Sequence, residues 1–256
     1  MLSFRLMFQH YIPRAYLAGF VSSGIKPGHE PWLWVTDKVN GTQKKRAPKK
    51  IAGGKNYYEQ VGTTNGPGRG LEARLAQVEA RVRRVVLQLE RDGPYSGSLG
   101  FEFCWFLATL CVRTPWAKSA VEMHRQAHRP SGVLASLDPM EQWAASVEYY
   151  ASWVHEYFRR MDWILCGPRD LDSFFLTSDR PVVLSGDNMN GSILDVLRLT
   201  EKSSYVTVPV SSRLALIGTY RGKSVFRSGV STFEVNNRTF DSATRYVYSA
   251  NKLSFG

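Results

Sequence analysis

The chain has 256 residues, 43% apolar and 21% charged, which excludes a disordered chain, a collagen-like fibre and a coiled-coil rod. Its 33 Lys and Arg against 22 Asp and Glu leave a formal net charge of +11, an excess that suggests an anionic partner. Three cysteines with no CxxC pair exclude a zinc ribbon, argue against a disulfide framework and imply a reducing, cytoplasmic setting.

Residues 1–68 carry 10 Lys and Arg against 3 Asp and Glu, whereas 69–167 carry 12 against 11 and 168–256 carry 11 against 8. The three stretches are expected to be segments of one domain. The first holds Gln9-His10-Tyr11-Ile12-Pro13-Arg14, in which Pro13 stiffens a frame of ionisable groups. Tyr16, Leu17 and Phe20 would anchor it as a short helix. The run 32–36 reads as a strand, with Ile51 and 56–58 as a return strand. Between them Lys44, Lys45, Arg46, Lys49 and Lys50 read as an exposed loop or hairpin tip, serving either polyanion contact or solubility. The glycine-rich stretch 62–70 reads as a loop.

Leu71, Leu75, Val78, Val82, Val85 and Leu89 recur at spacings of four and three, which predicts an amphipathic helix closed by Asp92-Gly93-Pro94. A second helix is expected over 98–119, apolar on nearly all sides and therefore central. A third is expected over 139–165. The apolar run 101–112 contains Glu102 and falls short of the roughly 20 residues that a membrane helix needs, so no membrane partner is expected. From Asp172 the period changes. Strand-like runs at 174–177, 181–184, 205–208 and 214–218 precede a final helix over 235–250. Helices followed by strands imply an α+β fold, a central helical bundle packed with a mostly antiparallel sheet from both ends of the chain.

Phosphate-loop, nucleophile-elbow, zincin and dinucleotide-binding motifs are all absent. His155-Glu156 begins like a zincin, but Arg159 stands where the second histidine belongs. His124 and His128 lie four apart, and two ligands are not a metal site. Three segments look over-specified. His10 with Arg14 would supply a neutral-pH base and a phosphate clamp, or would anchor the N-terminal segment. Arg113-Thr114-Pro115 would bind an anion or bond the last carbonyls of the helix. Thr177-Ser178-Asp179-Arg180-Pro181 puts a carboxylate at a strand end, to hold a metal or to cap backbone donors.

Together these segments resemble a mostly bacterial family catalogued as domain of unknown function 4238. Its His-Tyr-Ile/Val-Pro-Arg opening is matched by His10 to Arg14, its Arg-Thr-Pro by Arg113 to Pro115, and its Phe-x-Thr-Ser-Asp-x-Pro-Val by Phe175 to Val182. A Pro-x-Ser-x-Arg segment is matched by Pro209, Ser211 and Arg213, and a helix with an internal Glu aligns with Glu79. The resemblance implies one fold unit with a shared site at His10, Arg14, Arg113, Asp179 and Glu79, and no particular reaction.

Two functions are expected on these residues. One is a metal-dependent phosphodiester hydrolase acting on nucleic acid. Glu79 and Asp179 would hold Mg²⁺ or Mn²⁺, His10 would be the base or acid, and Arg14 or Arg113 would offset phosphate charge. The other is a non-catalytic RNA- or DNA-binding protein that uses the basic run with Trp32, Trp34, Tyr57 and Tyr58. A third reading makes the aromatic helix 143–161 a protein-binding module.

Overall fold

The computed structural model describes residues 8–58, 71–92, 96–127, 138–168, 170, 172–187, 189, 195, 204–220 and 230–254. The chain starts with β1 (Phe8–His10), turns through α1 (Arg14–Leu17) and a 3₁₀ turn (Ala18–Phe20), and then forms a hairpin of β2 (Leu33–Asp37) and β3 (Thr42–Arg46). β4 (Gly53–Lys55) returns to pair antiparallel with β1, placing His10 opposite Gly53. A Cβ at Gly53 would lie 2.5 Å from the Phe8 ring, so only glycine lets the two strands close there. Next come α2 (Leu71–Asp92), β5 (Ser96–Gly97), α3 (Phe101–Val112), α4 (Pro115–Ala127), α5 (Pro139–Arg159) and β6 (Met161–Cys166). The remainder is β7 (Thr177–Ser178), β8 (Val183–Ser185), β9 (Tyr205–Ser211), β10 (Leu214–Tyr220), α6 (Thr232–Ser242) and β11 (Tyr246–Ser249).

The fold is α+β. One antiparallel sheet runs β5-β6-β10-β9-β8 and another runs β3-β2-β11-β7, the latter joining strands from both ends of the chain. α3 is buried nearly throughout and packs against α2 and α5. A single apolar cluster extends from Ile12, Leu17 and Phe20 through the helices to Val208 and Tyr248. Apolar residues packed at both ends of the chain thus share one core, which keeps the N-terminal segment against the helices.

Several elements differ from their sequence expectation, each for a local reason. The helix expected over 98–119 is two helices. Arg113 leaves helical geometry at φ −94, ψ 7, and the Thr114 hydroxyl then caps α4 by accepting from the Ala117 N–H at 3.2 Å. Pro115 follows at the position where its missing N–H costs nothing. The helix expected to reach 165 stops at Arg159, and Met161, Trp163 and Leu165 point inward from a strand. The final helix stops at Ser242, and 246–249 is the strand β11. The basic run is no hairpin tip: Thr42–Arg46 is a strand and Pro48–Lys50 a 3₁₀ turn, the hairpin reversing at residues 38–41. Of the strand expected over 174–177, only Thr177 belongs to one. Asn236 replaces the ladder upstream, accepting from the Leu176 N–H and donating to the Phe174 carbonyl. Residues 62–70 and 93–94, read as a loop and a helix stop, lie outside the described residues. No helix among the described residues is long and apolar enough to cross a membrane.

Candidate functional site

The segments singled out in the sequence converge on α1. Tyr16, buried on α1, accepts a hydrogen bond from the Thr177 hydroxyl at 2.8 Å and donates its own proton to the Pro209 carbonyl. Ser212 N–H donates to the Gly19 carbonyl at 2.8 Å, and Ser211 is hydrogen-bonded to Glu90 of α2. The strand-end and Pro-x-Ser-x-Arg segments therefore brace the first motif through buried polar contacts.

Asp179 braces a different turn. One carboxylate oxygen accepts from the Thr244 N–H at 2.8 Å, and the other from the Arg245 and Tyr246 N–H groups at 2.8 and 2.9 Å. Burial pushes its carboxyl up from the ordinary range, while the three amides pull it down. Its oxygens fix the turn that leads α6 into β11. Next to it, Arg180 lays its guanidinium 3.6 Å from the centre of the Trp116 ring.

Arg113 and Glu79 form a polar pair between α2 and the end of α3, and with Arg14 of α1 they are the charges that act on His10 of β1. Arg113 is 1% exposed and donates to Glu79 Oε1 at 2.8 Å. Burial lowers the His10 pKa from its ordinary value. A hydrogen bond to the Pro48 carbonyl opposes this, Arg14 and Arg113 lower it further, and Glu79 raises it. The ring is consequently neutral at pH 7. Its Nε2 is buried and has no hydrogen-bond partner among the described residues. A neutral imidazole oriented through a backbone carbonyl, with a second nitrogen unpartnered among the described residues and the charges of two arginines acting on it, has the parts of a general base. The neighbouring backbone is tight as well: Ala52, whose carbonyl accepts from both Tyr11 and Ile12 N–H groups, has φ +53.

The carboxylates assigned to a cation, Glu79 and Asp179, are each engaged, one by Arg113 and the other by backbone amides. No group of three or more His, Cys, Asp or Glu suited to a metal stands together among the described residues.

The basic residues divide by strand alternation. Lys44 and Arg46 face the same way from β3 and, with Lys50, line a cavity of about 360 Å³ together with Tyr11, Tyr246 and Tyr248. Lys45 points to the opposite face, its ammonium 4.1 Å from the centre of the Trp32 ring and 5.3 Å from that of Trp34. Lys49 pairs with Glu30. Phe8, whose ring packs edge-on to His10 at 5.0 Å, lies in the wall of the same cavity, so groove and histidine adjoin. Tyr246 and Tyr248 were not foreseen, because a helical reading of 235–250 scatters residues that a strand places on one face.

The other candidates fall elsewhere. His155 is buried against Phe101 and Trp105, while Glu156 faces solvent near Arg159. His128 and the His124 side chain lie outside what is described. On α5, Trp143, Val147, Val154 and Phe158 are core residues, leaving Tyr149 and Trp153 exposed.

No curated protein and no solved structure matches the chain. A family match covers residues 9–253, which spans the polar cluster, the groove and the brace around α1. The chain belongs to the family described as "Protein of unknown function (DUF4238)".

Proposed function

We propose that this protein acts on nucleic acid, with Lys44, Arg46 and Lys50 holding phosphates and the part-exposed Tyr11 and Tyr246 offering aromatic surface to bases, and that His10 is the general base of a phosphodiester hydrolysis. The observation that carries the reading is the convergence of three cations and two part-exposed tyrosines on one groove, walled by the strand that ends in a neutral histidine. Cations alone would attract any polyanion; adjacent aromatic faces favour one that carries bases.

In the hydrolytic step, His10 Nε2 takes the proton of an attacking hydroxyl or water. The new P–O bond forms as the bond to the leaving strand breaks, and the leaving oxygen takes a proton from solvent. Exposed Arg14 offsets the charge that builds on the phosphoryl oxygens, while Arg113, buried and paired with Glu79, acts only through its field. A Mg²⁺ or Mn²⁺ route through Glu79 and Asp179 would require both carboxylates to give up their present partners, so the reading favours the histidine and arginines. Non-catalytic binding in the same groove is the second reading, supported by the groove without the histidine.

The test is incubation of labelled single-stranded RNA and DNA with the protein, with Mg²⁺ or Mn²⁺ and with chelator, beside His10→Ala. Cleavage that is lost in the variant supports hydrolysis, and its survival in chelator separates the two routes. Salt-sensitive binding without cleavage leaves a binding protein. Neither binding nor cleavage overturns the proposal.

A further inference from the structure

Beside the groove stands a second group of polar side chains that the proposed reaction leaves unused. Trp143 is 4% exposed, and its indole Nε1 is buried with no hydrogen-bond partner among the described residues; the same holds for the Tyr57 hydroxyl. The two rings meet edge to face with centroids 6.2 Å apart. Lys118, half-buried on α4, sets its ammonium 4.7 Å from the Tyr57 ring centre and 5.7 Å from that of Trp143. The carboxylate that acts on Lys118 is Glu122, one turn further along the helix and exposed.

All of these groups offer protons. Indole and ammonium can only donate, and the phenol has one proton to give and an oxygen that can accept. The Tyr57 oxygen is the one acceptor among them, so donors outnumber acceptors, and a buried donor left without an acceptor is destabilising. What would complete the set is a compact anion with several acceptor oxygens. The location narrows the choice, because Tyr11 of the groove packs against Tyr57 at 5.3 Å between ring centroids. The donor cluster therefore begins one ring away from the groove. A continuous strand must both enter and leave, which a buried position does not permit, whereas a strand end needs one approach only.

We infer that Tyr57, Lys118 and Trp143 form a subsite for a terminal phosphate of a nucleic-acid strand lying in the groove. The inference rests on the groove reading of the preceding subsection and extends it from a surface for polyanions to a pocket that recognises chain ends.

The test measures binding of three single-stranded oligonucleotides of one sequence, carrying a 5′-phosphate, a 3′-phosphate or only hydroxyl ends. Alongside, the melting temperature is followed with inorganic phosphate. One phosphorylated form should bind about tenfold tighter than the hydroxyl-ended one, a gain in the range of charge-assisted hydrogen bonds. Trp143→Phe and Lys118→Gln should erase that preference while leaving affinity for the hydroxyl-ended strand unchanged. Tyr57→Phe, which keeps the ring, serves if either variant folds poorly. Equal affinity for all three strands overturns the strand-end subsite. If the three strands bind equally and inorganic phosphate still raises the melting temperature of the wild type and not of Trp143→Phe, an anion site stands but its assignment to a strand end falls. Failure of all three strands to bind overturns the groove reading itself, and the phosphate melts then judge the donor cluster by themselves.

Discussion

The Tyr16 hydroxyl takes a hydrogen bond from Thr177 at 2.8 Å, joining residues 161 positions apart in the chain. With its own proton given to the Pro209 carbonyl, this one buried oxygen ties the helix after the histidine motif to two strands of different sheets. Tyr16→Phe removes the oxygen and leaves the Thr177 hydroxyl and the carbonyl without this partner. The expected loss is about 2 kcal/mol, or roughly 4–8 °C in Tm for a chain of this size, read by thermal melting.

Asp179 should behave as a structural residue. Asp179→Ala strips an acceptor from three backbone amides at once, with an expected cost of about 3 kcal/mol. Asp179→Asn, which keeps one carbonyl oxygen, should recover part of it. A melting temperature unchanged in the alanine variant would contradict the assignment.

Glu79→Ala is expected to destabilise more than its half-buried position suggests, because it leaves the guanidinium of Arg113 buried without its carboxylate. Breaking one side of a buried pair costs about 3–5 kcal/mol. The double variant Glu79→Ala, Arg113→Met should be closer to wild type than Glu79→Ala alone, and urea unfolding of the set provides the comparison.

Groove binding has a face-specific signature. Lys44→Ala, Arg46→Ala and Lys50→Ala should each lower the slope of log K against log salt by roughly 0.7 for single strands. Lys45→Ala and Lys49→Ala, which remove charges from the opposite face and from an ion pair, should leave it nearly unchanged. Equal effects at all five positions would favour diffuse attraction over a groove.

His10 and His155 are both held below the ordinary histidine pKa, mainly by burial. In the unfolded chain they protonate near 6.5, so below that pH the unfolded state binds more protons. Their contribution is therefore present above pH 6.5 and lost as pH falls toward the folded-state values. The Tm should drop between pH 7.5 and 5.5, and His155→Phe should make the drop smaller. Any hydrolysis by His10 should rise with pH below neutrality and be level at pH 7, where the ring is already neutral.

Long periodic elements were legible in the sequence. α2 follows its apolar stripe, and the antiparallel strands β9 and β10 lie where β-rich runs predict them. Short elements next to helices were not, because a few apolar residues satisfy both a period of two and one of 3.6. Phe158 and Met161 continue a helical stripe on paper, yet Arg160 ends the helix and Met161 starts a strand. The site divided along the same line. His10, Arg14, Glu79 and Arg113 were named from motifs, and the fold brings them together. The pairing of Lys44 with Tyr246 and Tyr248 depends on strand alternation in two segments that were read as a loop and a helix.

β11 fills the space between β2 and β7, so the hairpin β2–β3 gains its inner neighbour only from residues 246–249. On a ribosome that neighbour emerges some two hundred codons after the hairpin, during which the bonding edge of Leu33–Asp37 stands open to other chains. Premature termination upstream of Tyr246 would leave that edge uncovered for good. Such truncated products should be aggregation-prone even though the helices and the five-stranded sheet are intact.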